Sequence, residues 1–438
     1  MKVLNMLIIL LCKILKVVLK LLGKNAGTLP GRLALTLNKN IRDFISFDGK
    51  LIVITGTNGK TTTTNMIYDI LKKSNETVVC NIGGNNIAWG ITTTLINAAD
   101  INGKIKAKYI VLETDEHFVP IIYNKTNLKI DSLILLNFFA DQLDRTGEVD
   151  LIVQKIENFV KNSFDGNLIL NGNDPNCVRI GECNKNGKNY YYGLGKVGSE
   201  KQIENKIICP ICKEILNYEY NHYSWIGKFK CSACNFGDIK FACEVSKVKD
   251  NKFYIDKEEY ITNNPNLYNI YNLTAIITLG SIYNLDKTIL NDVFENYEAK
   301  DGRYQKFNIN GKKITLNLGK NPAGFDVVLN NIKAKKEEKE LLLIINDKVN
   351  DGKDVSWIWD INFKDMGSFD KIVCSGIRAY DVAIALKYNG YDIKKIVVNH
   401  DIKDAVNNLL ETDNKKYIIS NYSPLVNTIN ILKELGDK

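Results

Sequence analysis

The residues with the clearest chemical content are Ile54-Thr55-Gly56-Thr57-Asn58-Gly59-Lys60-Thr61-Thr62. A short apolar run, 51–55, enters a glycine-rich turn, and a helical pattern, 62–72, leaves it. Glycines let backbone N–H groups crowd around phosphate oxygens where a side chain would clash. Lys60 is placed to neutralise the β- and γ-phosphates of ATP, and the Thr61 hydroxyl to coordinate Mg²⁺. The helix N-terminus adds its partial positive charge. The spacing departs from G-x-x-x-x-G-K-[ST], because Ile54 stands where the first glycine would be. The expected nucleotide-contacting residues of this loop are Gly56, Thr57, Asn58, Gly59, Lys60, Thr61 and Thr62.

A carboxylate at the carboxyl end of a parallel strand beside such a loop is placed to share Mg²⁺ with Thr61. Glu113, which ends the run 109–113, is the candidate, with a plain surface residue at a strand end as the alternative. Asp141 and Asp144 follow another such run and read equally as helix or turn caps.

A second constellation is Cys209-Pro210-Ile211-Cys212 followed, after eighteen residues, by Cys231-Ser232-Ala233-Cys234. Four thiolates at this spacing suit a tetrahedral Zn²⁺ site. All four ligand positions are filled, so the zinc is expected to be structural. An iron–sulfur cluster or a redox pair is the alternative, and Cys243 reads as an ordinary buried cysteine.

These groups need elements to hold them. The 438 residues are 45% apolar and 25% charged, an ordinary globular composition that excludes disorder, collagen and a polytopic membrane protein. Ten cysteines in a chain of this length make no disulfide scaffold, and the pattern reads as a reducing compartment with one metal site. The net charge of +8 suits an anionic partner without choosing one. The cysteine segment is not Arg-rich and no recognition motif adjoins it, which argues against nucleic acid.

The apolar run 3–12 is well short of the ~20 residues that span a bilayer, and no small-residue cleavage site follows it. Lys2, Lys13, Lys16, Lys20 and Lys24 fall on one face of a helix and Leu, Ile and Val on the other. Residues 2–22 therefore form a basic amphipathic helix. It either packs on the protein's own core with solvated lysines or makes peripheral contact with a membrane surface.

From residue 49 onward, apolar runs at 51–55, 109–113, 132–137 and 167–170 alternate with helical patterns such as 62–72 and 151–162. This is a doubly wound α/β pattern with buried parallel strands. The expected organisation is an N-terminal helix and linker (1–48), an ATP-binding α/β domain (49–305) with the cysteine insertion at 205–240, and a C-terminal Rossmann-like α/β domain (306–438). Strands are expected in the last domain at 341–345, 371–374, 395–398 and 416–420, with a helix at 379–388. The charged run 333–340 reads as a solvated helix end. Trp357 and Trp359 alternate with Ser356 and Ile358, which would set both rings on one strand face, as core or as partner surface. Arg378 reads either as an anion-steering residue or as a structural ion pair.

The loop G-T-N-G-K-T-T resembles the ATP loop of the Mur ligase family, which activates a carboxylate as an acyl phosphate for attack by an amine. Glu113 resembles the family's Mg²⁺-binding glutamate. Residues 137–147, N-F-F-A-D-Q-L-D-R-T-G, resemble its N-x-x-x-D-H-x-D block, with Gln142 in place of histidine. Asn269 and Asn272 resemble the asparagines of its adenine-side H-N-x-x-N motif, with Tyr268 in place of histidine. Gly302-Arg303 resembles the pair that closes its central domain, which would bring Arg303 toward nucleotide phosphate.

The short N-terminus, the four-cysteine ribbon and the blocks 320–325, 351–360 and 376–381 resemble the MurT branch of that family over nearly the whole chain. That resemblance implies amidation of the α-carboxylate of D-glutamate in the lipid II stem peptide to D-isoglutamine, with ammonia supplied by a GatD-type glutaminase. It implies that Asp354, with Asp351 and Asp360 as alternatives, completes the partner's Cys–His triad. Lys60, Glu113 and Asp354 are then the catalytic set, at a cytoplasmic location that includes the inner face of the cell membrane. The chain has only three histidines, none in a recognisable Cys–His context, in keeping with a separate glutaminase. The alternatives are a stand-alone Mur-type ligase that adds an amino acid and a non-catalytic nucleotide-binding scaffold.

Overall fold

The apolar runs form strands close to where the sequence puts them, and the strands assemble into two sheets belonging to two separate units. The computed structural model describes residues 2–24, 26–124, 127–139, 148–198, 207–298, 305–333, 335–348 and 351–436. Asp141, Gln142, Asp144, Gly302 and Arg303 lie outside the described residues.

The first unit opens with helices α1 (Lys2–Leu21) and α2 (Leu29–Leu37). The segment after α1, expected as linker, thus contains a helix, with Pro30 in its first turn, where a missing N–H costs nothing. Then come β1 (Lys50–Thr55), α3 (Lys60–Lys73), β2 (Val78–Cys80), α4 (Ala88–Ala98), β3 (Tyr109–Glu113), α5 (Val119–Tyr123), β4 (Ser132–Leu135), α6 (Val149–Ser163), β5 (Asn167–Asn171), α7 (Pro175–Glu182) and β6 (Lys188–Leu194). A hairpin, β7 (Asn217–Tyr223) and β8 (Ile226–Lys230), interrupts the alternation. The unit closes with β9 (Phe241–Lys249), β10 (Lys252–Ile255), β11 (Glu258–Ile261), α8 (Leu267–Tyr283) and α9 (Lys287–Asn296).

The nine-stranded sheet has the order β11-β10-β9-β6-β5-β4-β1-β3-β2. It is parallel from β9 to β2, and β9-β10-β11 form an antiparallel margin. The strands β1, β3 and β4 are buried on both faces apart from Lys50, as befits a sheet covered by helices on both sides. The strand order reverses at β1, between β3 and β4, which is where an open α/β sheet forms its binding crevice.

The second unit holds β12 (Gln305–Ile309), β13 (Lys312–Leu318), α10 (Pro322–Lys333), β14 (Lys339–Ile344), β15 (Lys371–Ser375), α11 (Ala379–Tyr388), β16 (Ile396–Val398), α12 (Ile402–Leu409), β17 (Lys415–Ser420) and α13 (Tyr422–Gly436). Its sheet order is β12-β13-β17-β14-β15-β16, parallel except for the β12–β13 hairpin.

Two expectations are corrected here. The charged run 333–340 is not simply a solvated helix end. Lys339 and Glu340 are buried in β14, and the Lys339 ammonium donates to the Ile332 carbonyl at 2.9 Å, closing the end of α10. Glu340 meets Lys416 of β17 at 3.1 Å, its direct partner in the strand register, with both side chains almost fully buried. Nor do Trp357 and Trp359 share a strand face. Ser356–Asp360 is a 3-10 helix, whose tighter turn sends Trp357 inward against Phe325 and Trp359 outward beside Tyr388.

Candidate active site

The phosphate loop runs from the end of β1 to the start of α3. Gly56 and Gly59 have φ of +127° and +91°, backbone that favours glycine. A Cβ on Gly59 would lie 2.4 Å from the Asn272 amide oxygen, and one on Gly56 would lie 2.9 Å from the Asn137 backbone. The loop is therefore clamped between the end of β4 and α8. Asn137 makes the clamp specific. Its amide oxygen accepts from Asn58 N–H at 3.0 Å, its amide nitrogen donates to the Asn58 carbonyl at 3.1 Å, and its carbonyl accepts from Thr57 N–H at 2.8 Å.

Gly59 is the N-cap of α3 and no side chain caps that helix. The first-turn N–H groups of a helix have no intrahelical acceptor, so this terminus fits a phosphate. Thr61 and Thr62, in that turn, are half-buried.

Lys60 is 7% exposed and its ammonium donates to the Gly56 carbonyl, to the Thr57 carbonyl at 3.3 Å and to Glu116 at 3.0 Å. Burial alone would push this ammonium toward neutrality. The carboxylates of Glu116, Asp115 and Glu113 outweigh that and hold it above the usual lysine range, fully charged.

Glu113 ends β3, directly beside Ile54 of β1 in the register. It is 3% exposed, and its carboxylate accepts from the Asn86 amide at 2.8 Å. Asn81 clasps its backbone on both sides, accepting from Glu113 N–H at 2.9 Å and donating to the Glu113 carbonyl at 2.8 Å. The structure thus brings Lys60, Glu113 and the loop together. It adds Glu116, which sequence reasoning missed. The available signal was a second acid three residues past Glu113, on the turn leaving the same strand end.

The two asparagines of α8 separate. Asn272 is buried against the loop at Gly59. Asn269 turns away, donating to the Asn264 carbonyl at 2.9 Å and the Thr262 hydroxyl at 3.3 Å.

The four cysteine sulfurs lie within 4.8 Å of one another, with Cys209–Cys234 at 3.6 Å and Cys212–Cys231 at 3.4 Å. A tetrahedron with Zn–S bonds of ~2.3 Å has edges of about 3.8 Å, so the set fits Zn²⁺. Each pair sits on a knuckle with a left-handed residue, Lys213 or Asn235. Burial opposes ionisation of Cys231, but the N–H groups of Ala233 and Cys234 hold its thiol down at about 7. The β7–β8 hairpin carries this cluster on one side and leans on α8 with the other. His222 bonds the Tyr271 hydroxyl at 2.7 Å and the Gly195 carbonyl at 3.1 Å, and Tyr223 packs edge-on against Tyr271. The carbonyl can only accept, so Nε2 carries the proton and Nδ1 accepts from Tyr271. Burial pushes His222 down to about 4.

In the second unit, Asp351 is buried and accepts from Ser423 N–H at 2.7 Å, which fixes the start of α13. Asp354 is exposed and accepts from Ser356 N–H at 2.9 Å, and bonds to the Ser356 hydroxyl and N–H lower its pKa. Asp360 is also on the surface. Arg378 pairs with Asp347 at 2.8 Å and with Asp381 at 3.7 Å. The carboxyl edge of this sheet forms a cleft of about 600 Å³ whose lining includes Asn346, Lys348, His400 and Lys403.

Comparison with known proteins adds identity to this geometry. The Mur ligase middle domain matches residues 54–213 and the MurT ligase C-terminal domain matches residues 318–425. The lipid II isoglutaminyl synthase (glutamine-hydrolyzing) subunit MurT of Staphylococcus aureus (strain COL) is 31% identical over 424 residues, 95% of this chain and 94% of that one. The subunit of the same name from Streptococcus pneumoniae (strain ATCC BAA-255 / R6) is 30% identical over 421 residues, 93% of this chain and 92% of that one. Among solved structures, a pseudomurein peptide ligase type C from Methanothermus fervidus superposes with a TM-score of 0.70 at 20% identity, covering 89% of this chain and 79% of that one.

Proposed function

Because the chain belongs to the MurT family of ATP-dependent Mur-type ligases, we propose that it amidates the α-carboxylate of D-glutamate in the lipid II stem peptide, working in the cytoplasm with a GatD-type glutaminase. The observation that carries this reading is the union, in one chain, of the clamped phosphate loop with a MurT-type C-terminal unit.

The carboxylate of the substrate attacks the γ-phosphorus of ATP, giving an acyl phosphate and ADP. Ammonia then attacks the acyl carbon and phosphate leaves. Lys60 and the first turn of α3 bind the phosphates and offset the charge that develops on them. Thr61 and Glu113 would hold Mg²⁺, which supplies further neutralisation of the phosphate oxygens. Glu116 keeps Lys60 extended along the loop. Asn272 supports the loop from α8, on the adenine side. The four cysteines would hold a structural Zn²⁺. Asp354, exposed and ionised, is available to orient an imidazole of the partner.

The test is mass spectrometry of lipid II after incubation with the purified chain, ATP, Mg²⁺ and ammonium, with free amino acids as competitors. The expected product carries an amine in place of a hydroxyl on D-glutamate. Addition of an amino-acid mass would instead make the chain a stand-alone extending ligase.

A further inference from the structure

The helix α1 is held to the first unit on one side only. Ile8, Ile9, Cys12 and Leu19 are buried. Cys12 Sγ donates to the Pro30 carbonyl at 3.2 Å, the Asn38 amide donates to Asn5 at 2.8 Å, and the Lys13 ammonium closes the end of α4 at the Ala99 carbonyl. The lysine face, read from the sequence as either solvated or in contact with a membrane surface, is partly inward, because Lys13 is committed to α4.

The opposite face is apolar and open. Leu4, Leu7, Leu11, Ile14, Val18 and Leu21 are 44–82% exposed. At 3.6 residues per turn they fill an arc of about 100° along a helix of roughly 30 Å. Val17, 57% exposed, continues the arc toward one edge, and that edge carries Lys2 and Lys20, with Lys24 just past the helix end.

We propose that this face of α1 docks on an anionic lipid bilayer, lying in the plane of the surface with its leucines at the acyl boundary and its lysine edge at the headgroups. Charge selects this occupant. Acidic residues are absent from α1, so a second copy packed on the same face would set lysine against lysine with nothing to answer it. The arc is also wider than the two-residue-per-heptad seam of a coiled coil. Among the described residues no helix is long and apolar enough to cross a membrane, and α1 itself carries four lysines. An open apolar arc beside a one-signed basic edge is the pattern of an interfacial helix. The protein-side bonds hold the face outward, so docking does not require α1 to leave the fold.

The proposal rests on α1 alone and not on the amidation reading, and it is tested without ATP or lipid II. The full chain is sedimented with vesicles of phosphatidylcholine, alone or mixed with phosphatidylglycerol. The mixed vesicles should bind the chain, and the neutral ones should bind it at least about tenfold more weakly. A Leu7→Ser/Leu11→Ser/Ile14→Ser variant, changed only at exposed positions, should lose about tenfold or more in binding. Its melting temperature should stay close to that of the parent. In a Leu11→Trp variant, vesicles should shift the tryptophan emission to the blue, and brominated acyl chains should quench it. Unchanged binding by the triple variant, or an unshifted emission at position 11, overturns the proposal. So does self-association of the parent that the triple variant loses while its vesicle binding stays the same, which would make the occupant a second copy.

Discussion

The ammonium of Lys60 and the carboxylate of Glu116 stand 3.0 Å apart, each side chain less than a tenth exposed. The pair ties the phosphate loop to the turn after β3. Burying two charges is costly, and their attraction repays it only while both are present. The Gly56 and Thr57 carbonyls and the neighbouring acids therefore hold a charge that cannot be released cheaply.

Lys60→Ala should abolish amidation with either glutamine or ammonium as nitrogen source, by at least about a hundredfold, the usual scale for losing one positioned charge in a phosphate site. The mass-spectrometric assay reads it. Activity near the parent level would refute the assignment of the loop.

Glu116→Ala should leave a buried ammonium short of its nearest counter-charge. We expect a loss of roughly 3 kcal/mol, reduced by whatever Asp115 and Glu113 supply. Adding Lys60→Ala to that variant should recover part of the loss. Urea titration of the two single variants and the double variant closes the cycle. Strict additivity would mean that the two groups do not act as a pair.

Asp354→Asn should remove glutamine-dependent amidation and spare the ammonium-dependent reaction, because the residue is solvent-facing and, in the proposed function, orients a group of the partner and not of the ligase site. Equal loss from both sources would place its role elsewhere in the second unit.

Cys209→Ser should release the metal, measured by elemental analysis, and lower the melting temperature. The β7–β8 hairpin leans on the helix that carries Asn272, so ATP affinity should fall as well. Undiminished zinc in the variant would overturn the four-thiolate site.

Acid should destabilise the first unit through His222. Its folded pKa of about 4 lies below the ordinary value near 6.5, so the unfolded state takes up the proton first. The stability contributed is complete above pH ~6.5 and is lost as pH falls toward 4, by about 2 kcal/mol at pH 5. A His222→Gln variant should lack that part of the pH dependence. Parallel curves for parent and variant would count against it.

Much of the first sheet was legible because parallel strands buried on both faces read as unbroken apolar runs. The loop was legible because glycine, lysine and threonine spacing follows directly from phosphate geometry. What escaped notice was set by tertiary contact. Glu116 is one acid among several until the fold turns it onto Lys60. Helix α2 was hidden by Gly31, whose lack of a Cβ serves close packing on α4: a Cβ there would lie 2.0 Å from the Trp89 carbonyl. Trp357 and Trp359 look like strand alternation because a five-residue 3-10 helix is too short to show its three-residue period in the sequence. The charged run ending at Glu340 misled for a related reason, since burial of an acid is invisible until its partner, seventy-six residues later, is in place.

That last pair bears on how the second sheet finds its alignment. Glu340 and Lys416 are cross-strand neighbours at the second position of β14 and of β17. Sliding either strand by one position would turn that strand's charge to the other face, away from its partner, and leave each charge opposite the wrong neighbour. An apolar pair of similar volume would lift that penalty and hold the strands as firmly, or more so, but in several registers at once. The ion pair therefore works as a proofreading key. It adds little to the depth of the native state and much to the height of its misaligned competitors.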